Sequence, residues 1–108
     1  MIKVNCVVSK DLIEKISIKG HADYDTLGKD IVCAAVSSIV TTSINNIIAL
    51  EESTIKYDTK DGNVNITVLR NSEVTNKLLN VMINMLKELA TDYPQNIKIG
   101  GLKWISWS

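Results

Sequence analysis

The chain has 108 residues, one proline, an apolar share of 45%, and 12 Lys plus Arg against 12 Asp plus Glu. That length is one ordinary domain, and a chain of this size buries roughly 60% or more of the surface it exposes when unfolded, so no metal or disulfide staple is needed. Zero net charge supplies no excess of cations to release counterions from a nucleic acid or to hold an anionic membrane. Eleven of the cations are Lys, Arg70 is the single Arg, and five aromatics without Phe offer little for stacking on bases. Neither direct nucleic-acid contact nor membrane association is expected.

Two cysteines and one histidine cannot make a structural zinc site of four Cys or His ligands, so neither metal nor cofactor is expected. Met1-Ile-Lys-Val-Asn-Cys alternates apolar with polar and lacks the continuous apolar core of a signal peptide. No run is read as the roughly 20 apolar residues of a membrane span. The expectation is a cytoplasmic domain with reduced thiols.

Ile2, Val4, Cys6 and Val8 alternate with polar residues, the period-two pattern of a strand with one buried face, and Cys6 falls on the inward set. After the polar break at Ser9-Lys10-Asp11, residues 12–19 alternate again, so the two runs predict an antiparallel hairpin ending at Gly20. Residues 22–29 (ADYDTLGK) have no periodicity and read as a loop.

A helix is predicted next, with Asp30 as its cap or first-turn residue. Val32, Val36, Ile39, Val40, Ile44, Ile47 and Leu50 mark its core face. The opposite side, Ser38, Thr41, Thr42, Asn45 and Asn46, is small and uncharged, and no charged residue occurs between Asp30 and Glu51. A solvated helix face normally carries charge, so this one is expected to pack against a sheet or a second copy.

Residues 54–59 and 64–69 predict a second hairpin around Asp61-Gly62. Ser72 caps a second helix with Glu73 at its positive end, and Pro94 stops it. Its buried stripe is read as Val74, Leu78, Val81, Met82, Met85, Leu86, Leu89 and Tyr93. A short last strand, 97–102, is interrupted by Gly100-Gly101, and the tail 100–108 with Trp104 and Trp107 stays unassigned. The order ββαββαβ in a single domain 1–108 predicts an α+β fold, an antiparallel or mixed sheet packed with two helices in two or three layers.

The chemistry concentrates in a short stretch. His21 stands at the end of the second strand, and Cys33, twelve residues on, falls in the first turn of the predicted helix. A helix N-terminus and a neighbouring imidazolium are two environments that lower a thiol pKa and make it a nucleophile. At 100° per residue, Asp30, Cys33 and Ser37 lie within about 60° of each other on one helix edge. Asp30 would orient His21 or hold the helix start, and Ser37 would donate a hydrogen bond. From composition alone, a Cys among Ile31, Val32, Ala34, Ala35 and Val36 reads equally as a small buried hydrophobe, a lone His after a strand-ending Gly as a turn residue, and Asp30 as a cap only.

Gly20-His21-Ala22, followed by a short loop with Gly28 and by Asp30-Ile31-Val32-Cys33-Ala34-Ala35-Val36-Ser37, resembles the paired signature of the bacterial ribosomal-processing cysteine proteases called Prp. The resemblance follows the ββαββαβ order to about residue 99. It implies a cysteine endopeptidase that removes an apolar N-terminal extension from the precursor of large-subunit ribosomal protein 27. By the same resemblance Cys33 is the nucleophile, His21 its base, and Gly20, Asp30 and Ser37 are supporting positions in a homodimer. Loop 22–29, with Tyr24, Leu27 and Gly28, would border the cleft as a lid. Two other functions compete: a ribosome-associated protein- or peptide-binding module without catalysis, and a different thiol enzyme such as a small thioesterase.

Overall fold

The structure, a computed structural model, describes residues 1–20 and 27–104, with side chains described for 1–20 and 31–100. In chain order it forms β1 (Ile2–Ser9), β2 (Leu12–Lys19), α1 (Leu27–Leu50), β3 (Ile55–Lys60), β4 (Asn63–Val68), α2 (Glu73–Asp92) and β5 (Ile97–Trp104). The expected ββαββαβ order is present. The strands make one sheet in the order β3-β4-β2-β1-β5, antiparallel except for the parallel pair β1 and β5, so the sheet is mixed.

Pairing register explains which side chains go inside. Cys6 faces Ile16, Ile16 faces Ile66, and all three are buried in one row. Ile2, Val4, Val8, Ile13, Ile18 and Ile97 complete the apolar face, and both helices cover it in a single core with Val32, Val36, Val40, Ile44 and Ile47 of α1 and Leu79, Met82, Ile83 and Leu86 of α2. Each of these burials is worth about 1.5–3 kcal/mol. The layers are therefore two, and among the described residues no helix lies on the second sheet face.

Both hairpins turn on two residues with positive φ: Lys10 (52°) and Asp11 (64°) between β1 and β2, Asp61 (53°) and Gly62 (79°) between β3 and β4. This is the tight turn whose twist matches that of the strands it joins. The Asp61-Gly62 turn matches expectation, and Lys10-Asp11 makes the same turn without glycine.

Four expectations need correction. Helix α1 starts at Leu27 instead of Asp30, and Leu50 at its far end is 65% exposed. Residues Ile31–Leu50 reach a mean hydropathy of 1.7, long and apolar enough by composition for a membrane span. The reason is that Ser, Thr and Asn replace charges on the outer side, while the inner side packs on the sheet. In α2 the buried set is Thr75, Leu79, Met82, Ile83 and Leu86, so the predicted stripe is rotated, leaving Val74, Val81 and Met85 exposed. Finally β5 continues through Gly100-Gly101 to Trp104; its register with β1 shifts there, a bulge that glycine accommodates.

The phase of α2 has a polar origin. Ser72 accepts from Thr75 N–H at 3.0 Å as the helix cap. Thr75 turns its hydroxyl inward to Thr54 in a buried 2.7 Å hydrogen bond, and Glu51, just past α1, accepts from Thr75 (3.4 Å) and from Ser72. The Thr54 carbonyl in turn accepts from Leu69 and Arg70 N–H. One cluster thus joins the end of α1, the entry to β3, the exit of β4 and the start of α2. Thr75→Val should cost about 1–2 kcal/mol, because it strands the buried Thr54 hydroxyl, Thr54→Val should cost less, because Thr75 keeps Glu51 as acceptor, and the double variant should cost less than the sum. Urea denaturation midpoints test this, and additive losses would contradict the coupling.

Candidate active site

Gly20, at the exit of β2, has φ +117°, and a Cβ there would stand 2.2 Å from the Met1 carbonyl oxygen. Only glycine meets both conditions at once. Its N–H donates to Asn63 Oδ1 at 3.3 Å, and Asn63 begins β4 directly after the Asp61-Gly62 turn. The backbone that delivers the chain to residue 21 is therefore held by the start of β1 on one side and by the β3–β4 turn on the other. His21 and Tyr24 lie outside the described residues, as do the side chains of Leu27, Gly28 and Asp30.

From the other direction comes α1. Cys33 is its seventh residue and sits half-buried at the edge of the core. The first-turn amides that were expected around the thiol belong to residues 27–30, a turn earlier, and a helix end acts mainly within its own first turn. Leu27, Gly28 and Lys29 have helical backbone, so this part of the expected loop belongs to α1, and 22–26 lie outside the described residues.

Cys33 opens into a cavity of about 270 Å³ at the seam between α1 and the sheet, which Gly20 also lines. Ile2, Ile18 and Val64 give it an apolar floor. The α1 wall presents Cys33, Ser37 and Thr41, a thiol and two hydroxyls at successive four-residue steps on one helix edge. Gly20, Cys33 and Ser37 are thus brought together. Thr41 was read from sequence as part of the outer face; its spacing from Ser37 is the signal that places it on this wall. Thr59, Gly62 and Val64, from the β3–β4 hairpin, had no local signal, since only the pairing of β4 with β2 carries them to the cavity.

Cys6 is a different case. It is 1% exposed in the sheet core, and burial pushes its thiol up to about 11, with the Lys87 ammonium offsetting a smaller part. The neutral thiol is its stable form at ordinary pH, and it lines a separate cavity of about 100 Å³ beside Asn80 and Lys87. Among the described residues no three His, Cys, Asp or Glu side chains gather to hold a metal.

The sequence profile of the cysteine protease Prp family matches residues 1–98. The chain belongs to the cysteine protease Prp family. It is 33% identical over 103 residues to the ribosomal processing cysteine protease Prp of Staphylococcus aureus, covering 92% of this chain and 97% of that one. The Mycoplasma pneumoniae Prp is 39% identical over 90 residues, 77% of this chain and 82% of its own. A crystal structure of S. aureus Prp with a covalently linked product peptide superposes with a TM-score of 0.84 at 29% identity, covering 93% of this chain and 98% of that one.

In this Prp chain the glycine of Gly20-His21-Ala22 therefore has a structural explanation that needs no catalysis: the Met1 carbonyl occupies the place of a side chain. Gly20→Ala should destabilise the fold by at least about 2 kcal/mol, from the left-handed backbone and the contact together. A urea midpoint unchanged from wild type would contradict this packing.

Proposed function

We propose that this protein is an endopeptidase that removes the N-terminal extension of the large-subunit ribosomal protein 27 precursor, acting in the cytoplasm with Cys33 as nucleophile and His21 as base. The observation that carries the reading is the cavity at the α1 seam, which is lined both by Cys33 and by Gly20, the residue directly before His21 in the chain. Membership of a cysteine protease family and the covalently held product peptide of the S. aureus relative support a nucleophilic route.

In that route the Cys33 Sγ attacks the scissile carbonyl carbon while its proton passes to His21. The imidazolium then gives that proton to the leaving amine as the C–N bond breaks. Water, deprotonated by His21, cleaves the thioester and restores the thiol. Activation rests on His21, because Cys33 stands beyond the first turn of α1. Its own N–H is inside the helical ladder, so the amide is committed and Ser37, a turn further along the same wall, is the nearer donor to a developing oxyanion. The apolar floor suits an extended apolar segment. Asp30 is assigned a supporting role and Tyr24 a contact to the bound peptide, both from the resemblance in the sequence.

Cleavage of the extended precursor by wild type, Cys33→Ala and His21→Ala tests the assignment. Each replacement should lower kcat/KM by at least about 10³-fold while circular dichroism stays native. Retained cleavage in Cys33→Ala would remove the nucleophile, and an inactive wild type would favour the non-catalytic alternative.

The same proposal includes a homodimer. Its support is the outer surface of the helical layer, where Ile39, Thr42 and Asn46 of α1 and Leu78, Val81 and Met85 of α2 line an open groove of about 190 Å³. Val81 is 53% exposed and Met85 46%, and α1 brings no charge to the groove. A charge buried there without a partner is costly. Sedimentation should show wild type as a dimer and Val81→Glu/Met85→Glu as a folded monomer; an unchanged dimer would move the interface elsewhere.

A further inference from the structure

The open face of the sheet carries charge in a pattern that the neutral total conceals. Lys3 pairs in register with Lys19 of β2 on one side and with Lys98 of β5 on the other. Two positions along, the row Asp58, Asn65, Ser17, Asn5 is polar, with Asp58 at the β3 edge as its one charge. In the next row Lys15 faces Thr67, and Thr67 faces Lys56. Lys60 adds a further ammonium at the end of β3, and all six lysines are exposed. Against them the same strands offer Asp58, which accepts from Asn65 Nδ2, and Glu14 at the β1–β2 bulge. The ion pairs among the described residues, Arg70 with Glu51 and Lys77 with Glu73, involve none of these lysines.

Like charges directly opposite on neighbouring strands destabilise a sheet, so two Lys–Lys pairs in sequence across three strands have a folding cost. An anionic partner removes it. Neighbouring strands stand about 4.8 Å apart and alternate residues along a strand about 6.7 Å apart, so the ammonium groups form a lattice on the scale of a nucleic-acid backbone with its closely spaced phosphates. Within the described strand residues Val7 is the one large apolar side chain exposed on this face, with Met1 and Leu69 exposed just beyond the ends of β1 and β4, so the lysine rows hold no apolar cluster to act as a wedge for lipid or an anchor for a protein partner. Lysine without arginine or aromatics suits backbone contact and no base reading.

We propose that this lysine face of the sheet docks on the phosphate backbone of structured RNA. The Lys98-Lys3-Lys19 row lies at the end of the sheet where Gly20 and Ile2 line the cleft, on the opposite face. RNA held there leaves the cleft open. The bound RNA would place the protein on the particle that carries its substrate, a consequence that rests on the proposed function; the binding itself does not.

Fluorescence anisotropy of a labelled RNA duplex of arbitrary sequence, titrated with the full chain over a salt series, tests this. Binding should weaken with salt at a log–log slope between about −3 and −5, as for several phosphate contacts. The variant Lys3→Gln/Lys15→Gln/Lys56→Gln/Lys98→Gln should lose about one unit of slope per contacting lysine and at least about tenfold in affinity at ~50 mM salt. Its melting temperature should equal or exceed that of wild type, and cleavage of a free peptide should be unchanged. No RNA binding at low salt, or binding indifferent to the four substitutions, would overturn the proposal. Tighter binding to poly-glutamate or to phosphatidylglycerol vesicles than to RNA would also overturn it, in favour of an acidic protein or a membrane. Failure of wild type to cleave the precursor would strike the proposed function and leave the RNA result standing.

Discussion

Burial of one sheet face by two helices is the constraint on which the other features depend. Five strands present more apolar width than one helix covers, and α1 and α2 divide the work side by side on the row Cys6, Ile16, Ile66 and its neighbours. Where the start of α1 crosses the ends of β1, β2 and β4, the two layers leave a seam, and the seam is the cavity lined by Cys33 and Gly20. The cleft is thus a by-product of how the core closes, with an apolar floor from the core side and polar groups from the flank of the helix. A thiol placed there gains a low-dielectric wall without being fully buried.

The two cysteines differ sharply in environment. Cys6 lies on the inward set of β1, has apolar neighbours on the adjacent strands, and its thiol is pushed up to about 11. Cys33 lies on the flank of α1, half-buried and open to the cavity. Gly20 gives the seam its precision of position: with the Met1 carbonyl against its Cα and the Asn63 side chain on its N–H, the exit of β2 is held to the first strand and to the distant hairpin together. Positioning of this kind comes from sheet packing, which is stiffer than a loop.

Much of this was legible in the sequence because it is local. Alternation at Ile2, Val4, Cys6 and Val8, the Asp61-Gly62 turn and the Ser72 cap each depend on residues within a few positions of one another. The start of α1 was not legible: Gly28 argues against a helix and Asp30 is a good cap, yet the helix runs through both. The phase of α2 failed for another reason. Its apolar residues form two overlapping stripes, and the choice between Leu79-Ile83 and Val74-Val81 is made by Thr75 bonding to Thr54, 21 residues away. Thr59 and Val64 at the cleft depend on the β2–β4 pairing, which no short-range pattern reveals.

Charge carries the same lesson further. A net charge is a sum over the chain, whereas a partner meets a face, and the register of the strands decides which charges share one. Lys3, Lys15, Lys19, Lys56 and Lys98 fall at polar positions of the strands read from the sequence, and Lys60, read as part of the turn, closes β3. That they point the same way, in adjacent rows, follows from pairings as remote as residue 3 with residue 98. The excess on the sheet, six Lys against Asp58 and Glu14, is offset by the rest of the chain, where ten Asp and Glu stand against five Lys and Arg70, which brings the sum to zero without neutralising the face. Exclusion of polyanions from a balanced composition therefore holds only for a molecule whose charges are mixed. Where strand register gathers like charges on one sheet face, the relevant quantity is the charge of that face.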